Sequence, residues 1–253
     1  MYVTLIAVAA LWGAGTGLLV PRAVYRLAVE PDEAWRDACP DGHPLTGPAG
    51  GWLGGPGCRA EGAAGGHGRV VGVRGAHGPA VVAAGACALL AAATGPRPEL
   101  AVWLLLVPFA TVLAQVDIRV HRLPDRLTLP LAAGAAGLLG AVAPLPGAAG
   151  SWPTALLGGA ALGAGYFVLF LLHPGGLGFG DVKLALGLGV VLGWYGWSVL
   201  LAGACAGFLF GSVYGLGLMV RGRAGRRDAI PFGPFMIVGA FTGVVAGALA
   251  VPV

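Results

Sequence analysis

The sequence predicts an all-α, polytopic integral membrane protein with about eight transmembrane helices and a cytoplasmic loop after the first. Three observations carry this. Of 253 residues, 57% are hydrophobic and only 10% are charged, against about a quarter charged in soluble domains, and the mean hydropathy is +0.83. Apolar runs recur near 3–21, 76–94, 99–116, 127–146, 152–172, 182–195, 196–219 and 232–250, most of them close to the roughly 20 residues needed to span hydrocarbon. The basic residues are sorted between the loops, as a membrane topology requires.

The first run has no positive stretch before it and no clear small-residue cleavage point, so residues 1–21 read as a retained first span rather than a removed signal peptide. Residues 22–75 form a Gly/Pro-rich loop without hydrophobic periodicity. A segment of this size and composition needs a metal, a disulfide or a docking surface to stay ordered. Residues 76–253 form the membrane body, with seven further spans whose Gly and Ala let helices approach closely. The run at 182–195 is short and is followed by Trp194, Tyr195 and Trp197, which reads as an interfacial turn between two spans.

Fourteen of the fifteen basic residues, all except Arg97, fall in loops that this span order puts on one side. The positive-inside rule makes that side cytoplasmic and puts both termini outside. The net charge of +4 is thus a topology signal, and nothing in the chain supports nucleic-acid binding.

Most of the eleven acidic residues, Glu99 included, read as solvated loop charges. Asp117 and Asp181 differ. The run "AVWLLLVPFATVLAQVD" carries the chain across a span to Asp117, and "GLGFGDVKLALGLGVVLG" sets Asp181 at the start of an apolar run. Both fall at the cytoplasmic face. Two neighbouring carboxylates can share a water, one acting as base while the other, protonated, polarises a carbonyl. On residues alone, helix-end charges, a proton relay and a cation site stay open beside a catalytic dyad. Gly178 and Gly180 flank Phe179 and permit unusual dihedrals or close approach of a backbone to Asp181.

Taken together, "DIRVHRLPDRLTLP" from Asp117, "GGLGFGDVKLALGLGVVLGW" around Asp181 and "IPFGPF" at 230–235 resemble the three signatures of the bacterial type IV prepilin peptidases, GxGD-type membrane aspartic proteases. The resemblance implies an endopeptidase that cleaves the basic leader from type IV prepilins or pseudopilins at the cytoplasmic face of the bacterial inner membrane. Its partners would be the leader, the substrate's transmembrane helix and membrane lipid. It implies Asp117 and Asp181 as catalytic pair, with no cofactor needed for the cleavage. Around them it implies support from Gly178, Gly180, Lys183, Pro124, Pro231, Gly233 and Pro234, and from Asp125 as a helix cap or supporting group. Pro231 and Pro234 delay a regular helix to about Phe235.

Bifunctional members of that family carry two paired-cysteine motifs in the first loop, a four-thiolate metal site, and methylate the new pilin N-terminus with S-adenosylmethionine. This loop has only Cys39 and Cys58, so methylation is in doubt. A replacement zinc site can be written with Cys39, His43, Cys58 and either Glu61 or His67. Cys87 and Cys205 read as small buried hydrophobes within spans, and His121 as an exposed loop residue. Three readings follow: a prepilin endopeptidase, a non-proteolytic relative in pilus or secretion assembly, and a small ion-coupled carrier using the same aspartates.

Overall fold

Each apolar run folds as a helix. The computed structural model describes residues 2–30, 33–54, 57–58, 67–69, 77–173, 175–222 and 230–251. Among these, α1 spans Tyr2–Leu27, α2 is a short turn at Pro48–Gly51, and β1 (Gly57–Cys58) and β2 (His67–Arg69) form an antiparallel ribbon. The body follows as α3 (Gly78–Thr94), α4 (Glu99–Val120), α5 (Asp125–Val142), α6 (Trp152–Leu172), α7 (Phe179–Gly193), α8 (Trp197–Val220) and α9 (Gly233–Ala250).

Five of these, α1, α4, α6, α8 and α9, are long and apolar enough to cross a membrane. Of the about eight spans expected, five are thus clear candidates among the described residues. At 17 and 15 residues α3 and α7 are short, and α5 opens on the charged pair Asp125 and Arg126. All three still pack within the bundle, α3 on α1 and α7 on both α5 and α6. With nine of its 15 residues buried, α7 is enclosed by its neighbours and does not need to match the bilayer by itself.

Close packing depends on missing side chains. A Cβ on Gly13 of α1 would stand 2.3 Å from the Ala83 carbonyl oxygen of α3, and one on Gly239 of α9 would stand 2.4 Å from the Gly207 nitrogen of α8. At the α6–α7 crossing a Cβ on Gly189 would meet the Gly158 oxygen at 2.5 Å and the Gly159 Cα at 2.8 Å. Backbones this close forbid any larger residue without moving a helix. Gly189→Val is therefore expected to push α6 from α7 and destabilise the protein by about 1–3 kcal/mol, the usual range for overpacking. A thermal midpoint equal to that of wild type in detergent would contradict that packing argument.

Several local expectations change. Trp194 is buried among Leu100, Trp103, Val190 and Leu192 rather than interfacial; the turn to α8 does form, with Gly196 at φ 104°. Pro231 and Pro234 do not hold α9 back to Phe235: it begins at Gly233 with Pro234 in its first turn, where a missing N–H leaves no hydrogen bond broken. Cys87 is buried as expected, but Cys205 lies on the exposed face of α8. The first loop docks on the bundle. Trp35 and Trp52 pack against Val20, Val24 and Leu27 of α1 and Val112 and Val116 of α4, with Arg26 over the Trp52 ring at 4.3 Å and Arg126 over the Trp35 ring at 4.5 Å.

Candidate active site

The last turn of α4, the 121–124 connection, the first turn of α7 and the first turn of α9 meet at one end of the bundle. Leu123 is the hinge of this arrangement. It is buried with Leu113, Tyr166, Val182, Leu184 and Met236; its Cβ would stand 3.0 Å from a Cβ on Gly180, and its Cδ1 would stand 3.4 Å from one on Gly233. The connection turns sharply because His121, exposed, takes the left-handed conformation (φ 48°) and returns its N–H to the Asp117 carbonyl at 2.8 Å. Leu123 is thereby folded under both helix starts.

On this frame sit the two aspartates. Asp117 is 4% exposed, and its Oδ2 accepts the Gly233 N–H at 2.9 Å. Asp181 is 8% exposed, and its Oδ2 accepts the Gly178 N–H at 3.0 Å, while its own N–H donates to the Gly178 carbonyl at 3.0 Å. This is the carboxylate half of a capping box, placed where the partial positive charge of a helix N-terminus favours an acid. The carboxylates are close enough for the Asp117 charge to act on Asp181. Among the described residues no hydrogen bond reaches the second oxygen of either. Those oxygens are not among the sealed, unsatisfied atoms of the bundle, so water can approach both.

Neither Gly178 nor Gly180 has an unusual dihedral, and Gly180 serves close approach. Gly178 is ordinary extended backbone (φ −77°, ψ 148°), and Gly180 lies within α7 without a positive φ. What Gly180 provides is room for Leu123.

Asp125 is not a cap. Pro124 holds the cap position of α5, and no side-chain capping bond forms. Asp125 instead pairs with Lys183 of α7 at 2.6 Å, and the Lys183 ammonium lies 4.7 Å from the centre of the Phe179 ring. Lys183 thus ties α5 to α7 two residues from Asp181. His173 is exposed and packs on Gly176.

In the first loop Cys39 Sγ lies 3.6 Å from His43 Nδ1. Asp41 joins them, with ligand atoms of all three within 4.8 Å of one another. Asp41 is exposed, as a solvated loop charge should be, and its place between Cys39 and His43 brings it to this cluster. Cys58 and His67 face each other in the β1–β2 register, but their side chains and Glu61 lie outside the described residues. A thiolate, an imidazole and a carboxylate suit zinc in donor type.

Glu99 overturns an expectation outright. Read as a solvated loop charge, it is fully buried at the N-terminus of α4, with neither oxygen hydrogen-bonded among the described residues. Its position beside the polar "GPRP" turn disguised it.

Comparison with known proteins bears on the same segment. Residues 104–220, which include both aspartates, match the model of the type IV leader peptidase family. The chain is 33% identical over 156 residues to a prepilin leader peptidase/N-methyltransferase of Aeromonas salmonicida, covering 57% of this chain and 48% of that protein. It is 30% identical over 167 residues to the like-named protein of Bacillus subtilis, covering 64% of this chain and 63% of the relative. The chain thus spans about half the length of the Aeromonas relatives it matches. No solved structure matches. Against the leader peptidase HopD of Salmonella typhimurium, the identity is 37% over 148 residues, 53% of this chain and 84% of the relative. Since that relative is matched over nearly its whole length, the aspartate-bearing helices come with the rest of their fold, and the chain belongs to the type IV leader peptidase family.

Proposed function

We propose that the protein is an aspartic endopeptidase that removes the basic leader from type IV prepilins or pseudopilins at the cytoplasmic face of the inner membrane. The observation that carries this reading is the pair of buried carboxylates at one end of the bundle, each fixed through one oxygen by a backbone N–H, with the Asp117 charge acting on Asp181. In the proposed reaction one carboxylate takes a proton from water as that water attacks the scissile carbonyl. The other, protonated, polarises the carbonyl oxygen and then supplies the proton that the departing amine needs. Backbone donors on Oδ2 fix each group in orientation while the second oxygens face the substrate. Both aspartates lie in terminal helical turns rather than at mid-helix, which favours cleavage near a membrane surface over an ion site at the midplane of a carrier.

The test is incubation of membranes holding this protein with a prepilin, recording the mass of the product N-terminus. A shortened product supports the reading. Intact substrate from well-folded enzyme, tried on several prepilins, favours a non-proteolytic relative.

The same mass reports methylation by S-adenosylmethionine, which we leave outside the proposed activity because the loop lacks paired-cysteine motifs. A loop metal held by Cys39, His43 and Asp41, with Cys58 or His67 completing it, would order the loop rather than act on the peptide. Asp125→Asn breaks a pair in which Asp125 is 59% exposed. Exposed pairs contribute about 1 kcal/mol or less, so this variant is expected to keep most of its cleavage rate. A loss as deep as that of Asp117→Asn would place Asp125 in the chemistry.

A further inference from the structure

The end of the bundle opposite the aspartates holds another buried carboxyl group. Glu99 and Asp117 lie on the same helix, 18 residues apart (117 − 99), which is about 27 Å along the axis at 1.5 Å per residue. Glu99 is 0% exposed, covered by protein rather than by lipid, and among the described residues both its oxygens lack hydrogen-bond partners. Thr94, at the end of α3, is 1% exposed with its hydroxyl likewise unsatisfied. Tyr195 in the α7–α8 turn lies beside both: Trp103, one helical turn on from Glu99 in α4, hydrogen-bonds to it, and Glu99 and Thr94 both act on its phenol. The Tyr195 oxygen accepts one hydrogen bond, from Trp103 Nε1 at 3.3 Å, which leaves it a second lone pair.

The neighbouring cation does not resolve this. Arg97 donates to the Ala248 and Val251 carbonyls at 2.9 and 2.7 Å, and among the described residues no ion pair to Glu99 forms. A buried carboxylate without counter-charge or hydrogen bonds is strongly disfavoured, so a ligand of positive charge fits the place. The donors are hard oxygens from three segments. One carboxylate beside two neutral hydroxyls balances a single positive charge, whereas divalent sites gather more carboxylates.

We propose that Glu99, Thr94 and Tyr195 bind one hard monovalent cation of the sodium class, which fastens the α3–α4 junction to the α7–α8 turn. The cation thereby anchors the far end of α7, the helix that begins with Asp181.

The test is the thermal midpoint of the whole detergent-solubilised protein as sodium chloride replaces choline chloride at constant ionic strength. A ligand that binds only the folded state raises the midpoint with concentration. Wild type is expected to show a rise of a few degrees, Glu99→Gln none, and Thr94→Val a rise displaced to higher sodium. Asp117→Asn is expected to respond fully, which separates this site from the aspartate pair. A wild type indifferent to sodium, a Glu99→Gln that responds like wild type, or a response lost in Asp117→Asn each overturns the proposal. Should Glu99→Gln fail to fold, Thr94→Val decides, and an unshifted response there counts against it.

Discussion

Leader cleavage is expected to fall at least about 10³-fold when either Asp117 or Asp181 is replaced by asparagine, with membrane insertion and thermal midpoint nearly unchanged. The magnitude follows from the chemistry, since a positioned acid or base contributes roughly 10²–10⁴-fold and asparagine can neither take a proton from water nor supply one. Retention of the fold follows from the hydrogen bonds. Asp117 accepts from Gly233 and Asp181 accepts from Gly178, each through one oxygen, and an asparagine carbonyl can accept the same bond. The variants therefore remove ionisation while leaving the helix starts satisfied. Because the two groups act as a unit, the double variant is expected to lose little more than either single one. The check is the initial rate of product formation in membranes at matched expression. Residual activity near wild type in either single variant would remove that aspartate from the mechanism. Multiplicative loss in the double variant would show two independent contributions and argue against a shared water.

The two aspartates were legible in the sequence because their cues are local. Each ends or begins an apolar run, and helix direction then fixes which end of the bundle it reaches. What could not be read was contact between segments. Nothing in the spelling of "RLPDR" indicates that Leu123 supports both Gly180 and Gly233, or that Asp125 turns away from its own helix start to Lys183 of α7. Glu99 shows the same limit in reverse. A glutamate beside Gly95, Pro96 and Pro98 has the composition of an exposed turn, and only the packing of α3, α4 and the α7–α8 turn buries it. The span count is met in part, with five clear candidates among the described residues. Five helices are long and apolar enough to cross a membrane, whereas α3 and α7 stop at 17 and 15 residues and α5 opens on a charged pair.

Gly233→Ala is expected to reduce cleavage by about 10–10²-fold without destabilising the bundle. The position is the first residue of α9 and has no positive φ, so alanine suits the backbone and, by helix propensity, would favour it by up to about 1 kcal/mol. The conflict lies entirely with the site. A Cβ there would stand 2.8 Å from Asp117 Oδ2, 3.3 Å from its Cγ and 3.4 Å from Leu123 Cδ1. The carboxylate must rotate or retreat, and in doing so it stretches the 2.9 Å bond from the Gly233 N–H. A misplacement of about 1 Å can reduce a rate by about 10²-fold. Gly217→Ala, in α8 with open space around its Cβ position, is the matched control and should cleave like wild type. The measurement is the cleavage rate of both variants beside their thermal midpoints. A slow Gly233→Ala with an unchanged midpoint ties the rate to the position of one carboxylate, because the substitution alters neither its charge nor its identity. A wild-type rate would mean that Asp117 tolerates displacement, and that the hydrogen bond from α9 holds the helix rather than the chemistry.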